Sequence, residues 1–192
     1  MCDQHVIKMI LESAQILYCA WHTMAKEALL KFVDDYNALR EGTPLKAYKE
    51  TRSHRMHPIC IWVRAHPYHY QWTCEYALVM CQEYTLRFGK THKTEEHLRF
   101  LSRIGYPPVA KDYEPEAPKK QTKEWVYATR GIPEMFFYFP LCMPEEYYCK
   151  DEDGEYDAVM SYRYFYANKK FKMRYCRNTL PPSWLSKLRV TA

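Results

Sequence analysis

The stretch "MCDQHVIKMILESAQIL", Met1 to Leu17, is apolar around most of the circumference of a helix. At roughly 100° per residue, its polar side chains and Cys19 fall within one arc of about 100°, and apolar residues fill the rest. A surface helix usually has the opposite proportions. The pattern predicts a mostly buried helix from about Asp3 to Thr23, with Asp3 as N-cap. Its polar seam, predicted to face a cleft or a partner, contains Gln4, His5, Lys8, Glu12, Gln15 and Cys19.

Three further helices follow from their start and stop residues. One is predicted over Lys26 to Arg40, ended by Gly42 and Pro44, and another from Thr94 to Gly105. The clearest runs from Pro67 to Gly89, because proline suits a first helical turn and glycine a helix end. Four prolines between Tyr106 and Pro118 predict a loop.

These elements predict a mainly α fold, a single compact helical domain with long irregular connections and an irregular C-terminal third. Residues 1–105 are expected to form the helical core. Residues 106–192 would then be a proline-rich connection and a basic, aromatic part packed on that core. A chain of 192 residues, of which 47% are hydrophobic, is long enough to bury such a core.

Composition excludes several classes of protein. No apolar run approaches the roughly 20 residues of a membrane span, and the N-terminus lacks a signal-peptide pattern, so we expect a cytoplasmic protein without a membrane partner.

Eight cysteines without a C-x-x-C pair predict reduced, mostly buried thiols. His54, His57 and Cys60 stand at three-residue steps, but no zinc motif supports them. No glycine-rich phosphate loop is present either, so neither a metal nor a cofactor is expected.

The run "YRYFYANKKFKMRYCR", Tyr162 to Arg177, alternates cations with aromatic residues. Cations contact phosphates and aromatic faces stack on bases, so this composition favours nucleic-acid binding through Arg163, Lys169 and Lys170. The alternative is an amphipathic helix whose aromatic residues are core and whose lysines are solvated. The net charge of +5 permits an acidic partner without requiring one.

Several segments form a distinctive set: a "CD-x-HV-x-KM-x-LESAQ" motif at the N-terminus, the segment His57 to Thr94, and "CMPEEY", "YRYFYANKK" and "PPSW" near the end. Together they resemble a family of uncharacterised, largely phage-encoded proteins, and the resemblance covers most of the chain. Membership would imply a protein made in a phage-infected host cell. It implies no particular chemistry.

The stretch "DQHVIKMILE", Asp3 to Glu12, also resembles the first helix of the pyrimidine-dimer DNA glycosylases of the endonuclease V type. That resemblance implies a DNA glycosylase and lyase in DNA repair, in which an unprotonated amine attacks the sugar and Glu12 is the catalytic carboxylate. In that family the amine is the chain's own α-amino group, delivered by a short segment that precedes the helix. This segment has no counterpart before Asp3, so the nucleophile is expected to be either the N-terminal amine or Lys8. The expected substrate and phosphate contacts are His5, Gln4, Gln15, His57, Arg64, Arg87 and Lys90.

Two hypotheses about function therefore stand side by side. In the first, the chain is a DNA-processing enzyme that cleaves the glycosidic bond of a damaged or modified base. In the second, it is a non-catalytic, phage-type accessory protein that binds nucleic acid, a nucleotide or a host factor. Each motif also has a structural alternative: Lys8 and Glu12 at i, i+4 form a simple ion pair, and Arg87 and Lys90 are the solvated end of a helix. The sequence says nothing of the oligomeric state.

Overall fold

A computed structural model of the chain describes residues 1–50, 55–109, 126–132, 138–176 and 179–188. The fold is mainly helical, as predicted. The chain divides into two compact units, which we call the helical unit (His5–Lys119) and the mixed unit (Met1–Gln4 with Lys120–Ala192). Within the described ranges, no helix has the length and apolar character needed to cross a membrane. The helices are α1 (Asp3–Met24), α2 (Lys26–Ala38), α3 (Pro58–Ala65), α4 (Pro67–Phe88), α5 (Glu95–Ile104), α6 (Ala158–Ala167) and the short α7 (Trp184–Lys187).

The predicted helix ends are mostly confirmed, because they depend on local signals. Pro67 occupies the first turn of α4, and Gly89 ends that helix at a φ of 67° while its N–H bonds the carbonyl of Thr85. Gly105 ends α5 at a φ of 73°, and its N–H donates to the carbonyl of Leu101. The helix α2 ends at Ala38, two residues earlier than predicted. Asp3 is itself the first residue of α1, so the prediction that it caps the helix from outside is wrong.

The apolar run 59–65, which the sequence leaves unassigned, forms most of α3. His57 caps this helix by accepting a hydrogen bond from the N–H of Ile59. Pro58 stands at the first turn, where its missing N–H costs nothing. In the helical unit α4 packs against both α3 and α5.

The core of the helical unit is organised around Trp21 of α1. Its indole N–H donates to the hydroxyl of Tyr70 at 3.0 Å and to the carbonyl of Gly105 at 3.2 Å. The Tyr70 hydroxyl in turn donates to the carbonyl of Leu101 at 3.3 Å. One tryptophan thus connects α1 with α4 and with the end of α5, and each polar atom that it buries is hydrogen-bonded.

The mixed unit is built from two short antiparallel strand pairs and two helices. Strand β1 (Tyr127–Ala128) pairs with β2 (Phe139–Pro140), and β3 (Cys149–Lys150) pairs with β4 (Tyr156–Asp157). Between the pairs lies a short 3₁₀ helix, Glu145–Tyr147. The buried residues of its core are Ala128, Leu141, Met143 and Ala158.

The predicted basic, aromatic run is only partly helical. The helix α6 begins behind Asp157, whose carboxylate accepts from the N–H of Met160 at 2.7 Å, and it ends at Ala167. Residues 168–176 continue without regular structure. The alternative of one amphipathic helix across the run is therefore wrong, although Tyr162 and Phe165 do pack on the core as that alternative required.

The N-terminal residues are hydrogen-bonded to this last segment. The N–H of Asp3 donates to the carbonyl of Arg174 at 2.9 Å. The Gln4 side chain donates to the carbonyl of Lys172 at 2.9 Å and accepts from the N–H of Arg174 at 3.0 Å. The side-chain amide of Gln4 therefore hydrogen-bonds the backbone of residues 172–174 through both its donor and its acceptor.

Of the predicted 106–118 loop, residues 106–109 are non-helical, and the remainder lies outside the described residues. His54 and Arg177 lie outside them too. That residues 106–192 pack on the first 105 stays a prediction.

Candidate functional sites

The polar seam of α1 does not form a continuous buried edge. Lys8 and Glu12 make an ion pair at 3.2 Å, with 63% and 37% of their side chains exposed. Ile7 and Leu11 are exposed beside them, so the solvent-facing stripe of α1 is partly apolar. Cys19, at the other end of the seam, is buried. Most of α1 is buried or half-buried, as predicted, but the prediction that its exposed edge is a thin polar seam is wrong.

The remaining seam residues lie in intermediate positions. His5 and Gln15 are half-buried. Gln4 is also half-buried, and its amide is used in the backbone contacts with residues 172–174. Two surface depressions are found elsewhere, one around Ala25 and Pro108 and one around Tyr148 and Tyr156. Neither of them is lined by a seam residue.

Two of the three arginine and lysine residues expected at phosphates in the helical unit are buried. Arg87 is 5% exposed and its guanidinium pairs with Glu83 at 2.5 Å. Arg64 is also 5% exposed and lies inside the unit. Burial removes both from contact with a phosphate, so these two predictions fail. Lys90 is exposed just beyond the end of α4, and His57 is exposed at the start of α3, where its ring caps the helix.

The cations of the mixed unit behave differently. Residues 158–176 contain five lysines and arginines and no carboxylate. We call the part from Arg163 to Arg174 the basic segment. Four of its cations are exposed and form no ion pair with any residue that the structure describes: Arg163, Lys170, Lys172 and Arg174.

Aromatic rings hold two cations of the basic segment near the surface. The guanidinium carbon of Arg163 lies 5.6 Å from the ring centre of Trp184. The ammonium of Lys169 lies 4.3 Å from the ring centre of Phe165. Cation–π contacts of this kind restrain a side chain while its charge stays available to solvent.

A buried cluster of two thiols and a guanidinium occupies the helical unit between α1 and α3. Arg64 Nη1 lies 3.9 Å from the sulfur of Cys19 and donates to the carbonyl of Arg55 at 2.9 Å. Cys19 and Cys60 are both 1% exposed. The hydrogen bond with Cys60, and after it the charge of Arg64, hold the pKa of the Cys19 thiol below its usual range although burial opposes them.

This cluster was not predicted from the sequence. Cys19 was placed on the polar seam, and Arg64 was expected at a phosphate. The relevant signal is the i, i+4 spacing of Cys60 and Arg64. This spacing places the two side chains on one face only if residues 59–65 form a helix. A short apolar run fits a strand equally well, so the spacing was not interpretable from the sequence.

A second polar cluster, partly buried, is hydrogen-bonded within the helical unit. The hydroxyl of Tyr18 lies 3.0 Å from Nδ1 of His97, and the ring of Tyr48 stacks on His97 with ring centres 4.5 Å apart. The hydroxyl of Tyr48 hydrogen-bonds Thr94 at 3.1 Å, and His22 Nε2 lies 2.8 Å from the carbonyl of Tyr48. Burial raises the pKa of Tyr18 and lowers that of His97, so both side chains are neutral at pH 7. These contacts attach the connection after α2 to the core.

The histidines and cysteines considered for zinc do not converge. Among the residues that the structure describes, no three histidine, cysteine or acidic side chains come together in a group able to hold a metal. All eight cysteines are thiols, and five of them are buried.

We compared the chain with known proteins. No protein family, curated protein or solved structure matches the chain significantly.

Proposed function

We propose that the protein binds nucleic acid through the basic segment, Arg163 to Arg174. The observation that carries the proposal is the concentration of five cations in this short segment, which contains no carboxylate and in which four of the cations are exposed. Elsewhere, Lys8, Arg40, Arg87, Arg99 and Arg130 each have a carboxylate partner. In the basic segment four exposed cations have no carboxylate partner among the residues that the structure describes.

Unpaired cations grouped along one short segment suit a phosphate backbone. A nucleic acid supplies closely spaced negative charges, and each neutralised phosphate releases a counterion, which drives binding at moderate salt. The aromatic residues of α6 contribute less, because Tyr162 and Phe165 pack inward. Phe171 is 37% exposed and is the aromatic side chain of the segment best able to stack on a base. The proposed contact is therefore mainly electrostatic and independent of base sequence.

The test is DNA binding by the full-length protein, measured by fluorescence anisotropy with duplex and single-stranded oligonucleotides. A variant with Arg163, Lys170, Lys172 and Arg174 replaced by glutamine should lose roughly 100-fold or more in affinity at low salt. A matched variant removes the same charge from exposed lysines of the helical unit by replacing Lys26, Lys31, Lys46 and Lys49 with glutamine. Equal losses in both variants would show that net charge alone is responsible and would reject the proposed surface.

Glycosylase and lyase activity at α1 is a narrower, second proposal. It is supported by the contact of the Lys8 ammonium with the Glu12 carboxylate, which places an amine beside a group able to move protons. The exposure of Lys8 weighs against it, because nucleophilic lysines are usually activated by desolvation. The binding proposal does not depend on this activity, and an inactive protein that binds DNA corresponds to the accessory-protein hypothesis.

A further inference from the structure

The guanidinium of Arg64 is buried in the helical unit, where none of the described carboxylates pairs with it. It forms no ion pair with any of the described residues, and its Nε atom has no hydrogen-bond partner there. Its Nη1 atom donates to the carbonyl of Arg55 and lies 3.9 Å from the sulfur of Cys19. A guanidinium does not lose its proton in a protein, so this charge favours a nearby anion.

Cys19 is the ionisable group placed to supply that anion. It faces Cys60 and Arg64 of α3, Thr23 of its own helix, and Glu50 of the connection after α2. Contacts with Cys60, Arg64 and Thr23 favour the thiolate, whereas burial and Glu50 oppose it, and the balance lowers the pKa of Cys19. Thr23 is engaged with Glu50 through a hydrogen bond of 3.0 Å, which ties that carboxylate to the threonine hydroxyl.

The environment of Cys74 shows that burial alone does not lower the pKa of a thiol in this protein. Cys74 is 2% exposed on α4, in the same unit. Burial raises its pKa to about 12, and the neighbouring charge is the carboxylate of Glu75. Two equally buried thiols therefore differ because only Cys19 has a guanidinium and a second thiol in contact. Cys74 serves as an internal control.

We propose that Cys19 and Cys60 are an oxidisable dithiol pair, with Cys19 as the nucleophile and Arg64 as the positioning residue that holds its charge. The co-reactant is a hydroperoxide, and since both thiols are 1% exposed it must be as small as hydrogen peroxide. The Cys19 sulfur attacks one peroxide oxygen, an S–O bond forms, the O–O bond breaks, and the leaving oxygen takes a proton to become water. The Cys60 sulfur then attacks the sulfur of the Cys19 sulfenic acid. The S–S bond forms, the S–O bond breaks, and hydroxide leaves as water with the Cys60 proton. The two thiols together lose two electrons, which reduce the peroxide.

The experiment treats the full chain with hydrogen peroxide, alkylates the remaining thiols after denaturation, and maps the peptides by mass spectrometry. We expect a peptide pair linked through Cys19 and Cys60, forming roughly tenfold or more faster than any oxidation of Cys74, since the reacting species is the thiolate. In Cys60→Ser, Cys19 should stop at the sulfenic acid, which a 1,3-diketone added together with the denaturant should label. Arg64→Gln should slow the reaction, and Arg64→Lys, which restores a cation, should recover part of the rate.

A measurement that leaves Arg64 intact covers the case in which its variants fail to fold. Thiolate absorbance in the ultraviolet at neutral pH should fall in Cys19→Ser and stay unchanged in Cys74→Ser. Oxidation of Cys19 at the rate of Cys74, linkage of Cys60 to a different cysteine, or equal thiolate absorbance in the two serine variants would each overturn the proposal.

Discussion

The Nη1 atom of Arg64 lies 3.9 Å from the Sγ atom of Cys19, and both residues are buried in the helical unit. A cation of fixed charge and an ionisable thiol are thus held together where water cannot screen them. The contact links a group on α1 to a group on α3, so the ionisation of Cys19 is coupled to the folding of the unit.

The stability of the protein should depend on pH through this thiol. Because the pKa of Cys19 is lower in the folded chain than in the unfolded chain, the folded state binds fewer protons between those two values. The stabilisation is therefore present above the unfolded thiol pKa, about 8.5, and is lost as the pH falls through the folded pKa. In urea unfolding experiments, the stability difference between the wild type and Cys19→Ser should grow as the pH rises from neutral to about 9.

Cys74→Ser provides the control for this series, with the opposite sign. The pKa of Cys74 is raised to about 12, so its contribution is complete below the unfolded pKa and declines as the pH rises towards the folded value. The stability difference between the wild type and Cys74→Ser should shrink over the same pH interval. Two serine variants with the same pH dependence would contradict the assignment of the charge to Cys19.

Salt should weaken DNA binding in proportion to the number of cations that contact phosphates. With four such contacts, the slope of log affinity against log salt for duplex DNA should be roughly −3 to −4. Replacing Lys172 and Arg174 by glutamine should reduce its magnitude by about 2, whereas replacing Lys46 and Lys49 should leave it unchanged. The measurement is a salt series of anisotropy titrations. A slope that stays the same in the Lys172 and Arg174 variant would place the phosphate contacts elsewhere.

The lyase proposal predicts a covalent complex. Borohydride reduction in the presence of DNA with a cyclobutane pyrimidine dimer or an abasic site should trap the protein through Lys8 or the N-terminal amine. The yield should fall by roughly 100-fold or more in Glu12→Gln, since a positioned proton-transfer group contributes about that much, and should be unaffected in Lys31→Gln. If no adduct forms at neutral pH while DNA binding is intact, the lyase proposal is rejected and the DNA-binding proposal is retained.

Gly131 should resist substitution by any residue with a side chain. Its φ is +69°, and an added Cβ would lie 2.5 Å from the Oδ1 atom of Asp157 and 3.0 Å from the N atom of Val159. Asp157 caps α6, so the clash would displace the cap as well as strain the backbone. Gly131→Ala should lower the free energy of unfolding by about 2–4 kcal/mol, from the left-handed backbone, the lost cap and the steric contact. Denaturant unfolding followed by tryptophan fluorescence measures it.

Gly154→Ala separates backbone strain from the steric contact. Gly154 has a φ of +82°, but no atom lies within 4 Å of an added Cβ. Its loss of stability should be limited to about 1–2 kcal/mol from the left-handed backbone. Equal losses at the two glycines would mean that the contact with Asp157 contributes nothing.

The sequence predicts where the long helices end, because helix termini depend on the backbone preferences of residues that are neighbours in the chain. Pro67 and Gly89 delimit α4 through backbone chemistry alone, and Gly105 does the same for α5. The spacing of apolar residues also predicts a mainly helical fold, because it too depends only on residues that are close in the chain. The conformation of the run from Ile59 to Ala65 could not be predicted, since six apolar residues and one arginine fit a strand or a helix and only packing against α4 decides between them.

The candidate sites depended on contacts between residues far apart in the chain. The resemblance to the glycosylases implies a phosphate contact for Arg64, and only the packing of α1 and α3 places its guanidinium beside Cys19. Gln4 was expected at a substrate, but its amide bonds the backbone of residues 172–174. The composition of the basic segment is visible in the sequence, whereas only the tertiary structure shows that no described carboxylate pairs with Arg163, Lys170, Lys172 or Arg174. Local backbone preferences therefore determined the helices, and long-range packing, which sets burial and charge pairing, decided which side chains are available for chemistry.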